Sequence, residues 1–368
     1  MDCKDDLPAA QPVTPFDILI TYERILVNGE QPAVSPDGTK IAYTYNGDIF
    51  VMDTSVQITK WWDGQNYQYD TTGGKITQLT SGTEIDLLPR WHPDGVTVGF
   101  IRMNQGEVNK GEIYTASSIS NMIEKISINH FVADSMILVS RSFQAGNVGV
   151  PIWDWSSDGK YVAFYSMVEG NIHLKVFSAF DCNNIINKKV NDRNISTTVL
   201  SFKWSSVSSD IYYTSNEVVK YGAIHRYDIL NKTEIIDSSL AFPGWISQSR
   251  LFNRIICSGL NNKSETIIAE TDLLTVYNIF KTSGNLGLKW SPNGNYIIFE
   301  LPGSIGGPMG YHYSQIYIHH IGRNKSYKLT SEGDNNLHNY YFEWGNSSLE
   351  IYFERFKKIN KIQFQFAE

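Results

Sequence analysis

Short runs of β-branched and aromatic residues return along the whole chain, and polar turns separate them. The clearest series is Ile41-Ala42-Tyr43-Thr44, Val98-Gly99-Phe100-Ile101, Val162-Ala163-Phe164-Tyr165, Ile211-Tyr212-Tyr213-Thr214, Ile255-Ile256-Cys257, Ile297-Ile298-Phe299-Glu300 and Ile351-Tyr352-Phe353-Glu354. Runs of this kind between turn residues predict strands. A further run follows each of them, beginning at Asp48, Glu112, Ile172, Ala223, Thr266, Gln315 and Lys361. A fourth is clear at Lys75-Ile76-Thr77-Gln78-Leu79-Thr80 and Lys325-Ser326-Tyr327-Lys328-Leu329-Thr330, and weaker elsewhere. No helical period of useful length competes with this pattern.

A tight polar turn precedes each member of the main series, and a tryptophan-type position precedes the turn. The clearest copies are Gln31-Pro32-Ala33-Val34-Ser35-Pro36-Asp37-Gly38, Leu88-Pro89-Arg90-Trp91-His92-Pro93-Asp94-Gly95, Trp153-Asp154-Trp155-Ser156-Ser157-Asp158-Gly159 and Lys289-Trp290-Ser291-Pro292-Asn293-Gly294. Degenerate copies lie at Trp204-Ser205-Ser206, Trp245-Ile246-Ser247 and Trp344-Gly345-Asn346. Taking positions 34, 91, 155, 204, 245, 290 and 344 as equivalent, the intervals run from 41 to 64 residues. In such a turn Pro presets φ, Asp bonds its own backbone, and Gly takes a conformation other residues avoid. The tryptophan is expected to be buried between adjacent sheets.

A meander of four strands returning at this spacing predicts an all-β, seven-bladed β-propeller of four-stranded antiparallel blades. The last copy ends at Phe364-Gln365-Phe366 after three strands, and the runs Ile18–Tyr22 and Arg24–Val27 precede the first motif without a blade of their own. An N-terminal strand in the last blade would therefore close the ring and remove two exposed sheet edges. Residues 1–15 read as a leader or tether, and 16–368 as one domain.

The pattern Pro-x-Trp-Ser-Pro-Asp-Gly, then Ile-Ala-Phe, then Ile-Tyr and Leu-Thr, resembles the TolB-type propeller repeat. That repeat occurs in periplasmic TolB, in the propellers of prolyl-oligopeptidase-like enzymes and in many bacterial lipoproteins. The resemblance covers nearly the whole chain from Gln31. The separate N-terminal α/β domain of TolB has no counterpart here, so a Tol-system role is not implied.

Composition changes this picture little. The 42% hydrophobic and 13% aromatic content suffices for a packed core, and the net charge of -7 offers no basic face for nucleic acid. No apolar run reaches the length that spans a bilayer. Of the three cysteines, Cys257 sits in an apolar run and reads as core. Cys3 stands in Met1-Asp2-Cys3-Lys4-Asp5-Asp6, ahead of a Pro/Ala-rich stretch. It resembles the mature start of a bacterial lipoprotein, with an acidic run like that of some surface-exposed ones; an incidental cysteine in a leader is the other reading. A lipid at Cys3 would be the only link to a membrane.

Function on such a scaffold is expected in loops at one mouth of the central channel. Three insertions stand out on one face: Arg102 to Gly111, His130 to Val150, and Leu301 to Tyr313. Arg102 and Arg141 would meet acidic groups, Phe143, Tyr311 and Tyr313 would stack on a ring, and His312 would hydrogen-bond at the rim. Trp61 and Trp62 belong to a fourth insertion, expected on the opposite face and suited to a protein partner. The ligand class is glycan, peptide or protein, and the oligomeric state stays open. No Gly-x-Ser-x-Gly elbow, phosphate loop or His-Glu-x-x-His occurs, so no catalytic residue, metal or cofactor is expected. Related oligogalacturonate lyases hold a metal with His and Gln. Here His130, His312, His338 and Gln315 fall near one mouth, but their spacing matches no lyase motif. The resulting expectation is a non-catalytic binding or scaffold protein of the bacterial cell envelope or surface. The alternatives are a polysaccharide lyase and an accessory subunit of an outer-membrane complex.

Overall fold

The predicted turns form as their residues dictate. Gly38, Gly95, Gly159 and Gly294 each have φ near +70°, the left-handed region that favours glycine. Each glycine N–H donates to the carbonyl three residues back, as from Gly38 to Ser35 at 2.8 Å and from Gly159 to Ser156 at 2.9 Å. Inside the first turn, Asp37 accepts from Ser35 Oγ at 2.6 Å and from the Thr39 N–H at 3.0 Å. These bonds hold its carboxyl down to about 2. Asp158 and Asn293 repeat the arrangement with Ser156 and Ser291. A Cβ at Gly159 would stand 2.1 Å from His92 Nε2, so this turn packs directly on that of the sheet before it.

The computed structural model describes residues 18–62, 67–103, 111–120, 122–125, 153–169, 171–180, 183–191, 201–215, 222–238, 244, 246–248, 255–260, 266–271, 276–281, 287–304, 312–330 and 339–366. After β1 (Ile18–Asn28), the first sheet joins β2 (Glu30–Val34), β3 (Lys40–Tyr45), β4 (Asp48–Asp53) and β7 (Ile76–Gln78). A hairpin, β5 (Gln57–Trp62) and β6 (Tyr67–Thr72), is inserted before β7. The second sheet has β8 (Ile85–Trp91), β9 (Thr97–Met103), β10 (Gly111–Ser117) and β11 (Ile123–Lys125). The third has β12 (Trp153–Trp155), β13 (Tyr161–Val168), β14 (Asn171–Ser178) and β15 (Asn184–Asn191). The fourth has β16 (Phe202–Trp204), β17 (Ile211–Ser215), β18 (Ala223–Asp228) and β19 (Thr233–Asp237). The fifth has β20 (Ile246–Gln248), β21 (Ile255–Leu260), β22 (Thr266–Thr271) and β23 (Val276–Lys281). The sixth has β24 (Gly287–Trp290), β25 (Tyr296–Ser304), β26 (His312–His320) and β27 (Lys325–Lys328). The last combines β28 (Asn339–Trp344), β29 (Glu350–Arg355) and β30 (Lys358–Phe366) with β1. Among the described residues these make seven four-stranded antiparallel sheets.

The N-terminal strand pairs with the C-terminal one as the sequence predicts, from Ile18 opposite Phe366 to Asn28 opposite Lys358. Neighbouring sheets meet through their first strands, in the order β2, β8, β12, β16, β20, β24, β28 and back to β2. The motif tryptophans pack between them: Trp91, Trp155, Trp204, Trp290 and Trp344 are all 8% exposed or less. Three of their indole N–H groups also donate to a carbonyl of the preceding sheet: Trp91 to Ala33 at 2.9 Å, Trp204 to Asp154 at 3.2 Å and Trp344 to Lys289 at 3.4 Å.

The fifth copy is corrected by the register. Trp155, Trp204, Trp290 and Trp344 lie opposite Val162, Ile211, Ile297 and Ile351, and the residue so placed in the fifth sheet is Gln248, opposite Ile255. Trp245 itself lies outside the described residues. The Gln248 amide takes over the tryptophan's bridging role, accepting from the Ser206 N–H at 2.6 Å.

Candidate functional site: the central channel

Side chains alternate along a strand, so the residue before each buried tryptophan position points the other way. In the seven first strands those residues are Ala33, Arg90, Asp154, Lys203, Ser247, Lys289 and Glu343. All seven line one cavity of about 540 Å³ on the axis of the sheet ring. Its rim is made of Pro36, Gly38, Pro93, Ser157, Ser206, Pro292 and Asn346, so it opens at the end that carries the polar turns.

Charge dominates this wall. Lys203 Nζ lies 3.4 Å from Asp154 Oδ2, and Lys289 is paired with Glu343 on the next strand. The guanidinium of Arg90 donates to its neighbour's carbonyl, Pro89 O, at 2.9 Å and has no carboxylate partner among the described residues. Burial lowers the pKa of Lys289, and the charges of Arg90 and Lys203 push it the same way, against the pull of Glu343. The three cations thus share one confined space and repel one another.

The far end of three adjacent first strands is strained. Gln31, Leu88 and Tyr341 have φ of 57°, 54° and 51°, each at a bulge in its pairing. Non-glycine residues in this conformation cost about 1–3 kcal/mol each and persist only where their surroundings fix them. Gln31 Oε1 accepts from the Leu88 N–H at 2.8 Å, and the Gln31 N–H donates to Glu354 Oε2 at 2.9 Å. Burial raises the Glu354 carboxyl to about 7 despite that bond, and Glu30 adds to the rise. Tyr341 lines the same cavity, and burial lifts its phenol to about 12.

Of the residues singled out from the sequence, the described ones are not among those lining this cavity. Arg102 stands on β9, where it grips Asp86 through two bonds of 2.8 and 2.7 Å and lies over the Phe100 and Tyr114 rings. With Asp86 only 1% exposed, this is a built-in ion pair of the second sheet. His312 and Tyr313 open β26 opposite Ser304 and Gly303. Arg141, Phe143, Tyr311, Cys3, His130 and His338 lie outside the described residues. Trp61 and Trp62 sit in the β5–β6 hairpin opposite Gln68 and Tyr67. That hairpin leaves the first sheet beside Thr54, whose hydroxyl reaches Gly38 O at 3.3 Å, so it springs from the turn end, as expected. The cavity opens at this same end, where the polar turns form its rim. No group of three or more His, Cys, Asp or Glu able to hold a metal occurs among the described residues.

Repeated four-stranded meanders in a ring, each starting at the axis and ending at the rim, decide the architecture. The chain is a β-propeller. No protein-family model matches the sequence, and no curated protein does. Solved structures do match the propeller. An oligogalacturonate lyase from Vibrio parahaemolyticus is 10% identical, with a TM-score of 0.58 over 95% of this chain and 98% of that one. A chain of a mitotic checkpoint complex is 13% identical, with a TM-score of 0.56 over 99% and 98%. TolB from Acinetobacter baumannii is 17% identical over 80% of this chain, with a TM-score of 0.47. The propeller spans 64% of the length of that TolB. At such identities the likeness is one of fold, and function has to be argued from the site.

Proposed function

We propose that this chain is a non-catalytic binding or scaffold protein of the bacterial cell envelope or surface, a seven-bladed ring that receives its partner at the axial channel. The observation that carries the reading is the cavity of about 540 Å³ lined by all seven first strands, with an arginine that has no carboxylate partner among the described residues. Envelope placement rests on the TolB-type motifs and on Cys3 followed by Lys4-Asp5-Asp6, where a lipid would be attached. The competing site is the opposite end of the ring, to which the sequence assigns Arg102, Arg141, Phe143, Tyr311, His312 and Tyr313.

Two rim serines give the test. Ser157 and Ser206 are exposed, so the double variant Ser157→Trp/Ser206→Trp narrows the mouth without entering the core. In a screen of peptides, glycans and envelope proteins, any ligand captured by the full chain is expected to be lost from this variant. Binding that survives the double substitution moves the site to the other end. Turnover of an acidic polysaccharide by the purified chain would replace the binding reading with the lyase one. Cell fractionation of Cys3→Ser checks the anchor: the variant is expected in the soluble fraction and the parent with membranes.

A further inference from the structure

We propose that the channel is an acidic-peptide site, in which Arg90, facing the same cavity as Lys203 and Lys289, receives an Asp or Glu carboxylate from an extended segment of a partner protein. The proposal rests on the channel reading above and names its ligand. Among the described residues three cations and two acids line the axis, an excess of one positive charge within a chain whose net charge is -7. The excess is localised. Asp154 is engaged by Lys203 and Glu343 by Lys289, which leaves the guanidinium of Arg90 as the axial cation without an acid among the described residues.

Shape agrees with charge. The two uncharged axial residues, Ala33 and Ser247, are small; in ring order Ser247 stands between Lys203 and Lys289, and Ala33 between Arg90 and Glu343, which leaves volume beside the charges. A planar guanidinium with free N–H groups is matched by a carboxylate, which it binds through two parallel bonds. Burial chiefly holds Lys289 below its ordinary pKa and the charges of Arg90 and Lys203 add to it, so a carboxylate there would offset the repulsive part.

The walls favour a peptide over an acidic sugar. Sugar sites present flat aromatic faces. Here every tryptophan lining the cavity is 8% exposed or less, because its ring is spent between sheets. Apart from the partly buried Tyr341, the accessible lining among the described residues is mostly prolines, serines, Asn346 and the axial charges, which suits a narrow extended backbone carrying carboxylates.

The experiment titrates the full chain with a labelled peptide of alternating Asp and Gly, its Asn-Gly counterpart and a galacturonate trimer, at low and high salt. The acidic peptide is expected to bind, more weakly as salt rises. Arg90→Gln should weaken it about tenfold or more, the scale of a charge-assisted hydrogen bond, and Arg90→Lys should restore part of the loss. Unchanged thermal melts show that the variants remain folded. Equal binding of the acidic and neutral peptides, or no effect of Arg90→Gln, overturns the proposal. Binding of the trimer with the peptide silent overturns it as well. A ligand blocked by Ser157→Trp/Ser206→Trp but indifferent to Arg90→Gln leaves the channel reading standing and removes only the acidic peptide.

Discussion

Replacing Glu354 by Gln should make the protein more stable at neutral pH and leave it unchanged in acid. The side chain is 7% exposed on β29 and accepts a single N–H bond, from Gln31 at 2.9 Å. An unfolded chain releases this proton near 4.5, whereas the folded protein holds it to about 7. Between those values the folded state binds the proton and the unfolded state does not. Stability from this group is therefore fully present below about 4.5, falls as pH rises and is lost above about 7. At about 1.4 kcal/mol per pH unit the deficit in alkaline solution is about 3 kcal/mol. Glutamine keeps an oxygen for the Gln31 N–H and has nothing to ionise. Urea unfolding at intervals from acid to mildly alkaline pH should give superimposed midpoints at the low end. They should diverge upward for Glu354→Gln through the window, at constant slope. Curves that stay parallel for the two proteins would refute the assignment of a protonated buried carboxyl.

Two further substitutions probe the architecture. Arg102→Met should cost about 3–5 kcal/mol, because it strands Asp86, 1% exposed, without its partner, and a denaturation midpoint equal to the parent's would contradict that. Trp344→Ala should cost about 3–5 kcal/mol, since it empties a buried site and frees the Lys289 carbonyl that the indole N–H reaches at 3.4 Å; Trp344→Phe should lose less, and equal losses would put the indole bond in doubt.

Strand order, turn chemistry and ring closure were legible because each is local or periodic. Ser-Pro-Asp-Gly sets its own backbone, and the unpartnered runs before Gln31 had one edge left to fill. The fifth copy misled for an equally local reason. Trp245 looks like the motif aromatic, but only pairing across the sheet reveals that Gln248, a polar residue, occupies the buried position. The axial charges were hidden differently. Arg90, Asp154, Lys203, Lys289 and Glu343 each stand directly before a tryptophan, so the alternation was on display. That a lysine on one strand meets an acid on a strand some fifty residues away follows only from ring order, and that Asp154 turns to Lys203 while Arg90 bonds Pro89 O follows only from the side-chain geometry. Insertions drew attention to the loop end instead, where Arg102 proves to be tied to Asp86.

The clasp between β1 and β30 has a consequence for how the protein is made. Thr21 and Gln363, bonded across it at 3.2 Å, are 342 residues apart. A ribosome therefore releases β1 long before its partner exists, while each other blade can zip up from neighbouring segments as it emerges. In the interval β1 is an orphan ribbon bearing Leu19 and Ile25, exposed at 54% and 53% even in the finished protein, with Ile18 and Leu26 uncovered as well. Unpaired strands of this kind invite association with other chains. Closing so long a loop adds only slowly growing entropy, so the clasp is secure once formed, but its formation is deferred until β30 has been made. Nascent chains stalled before β30 should accordingly be the aggregating species, and a holdase that shields residues 18–28 would have its work concentrated in that waiting period.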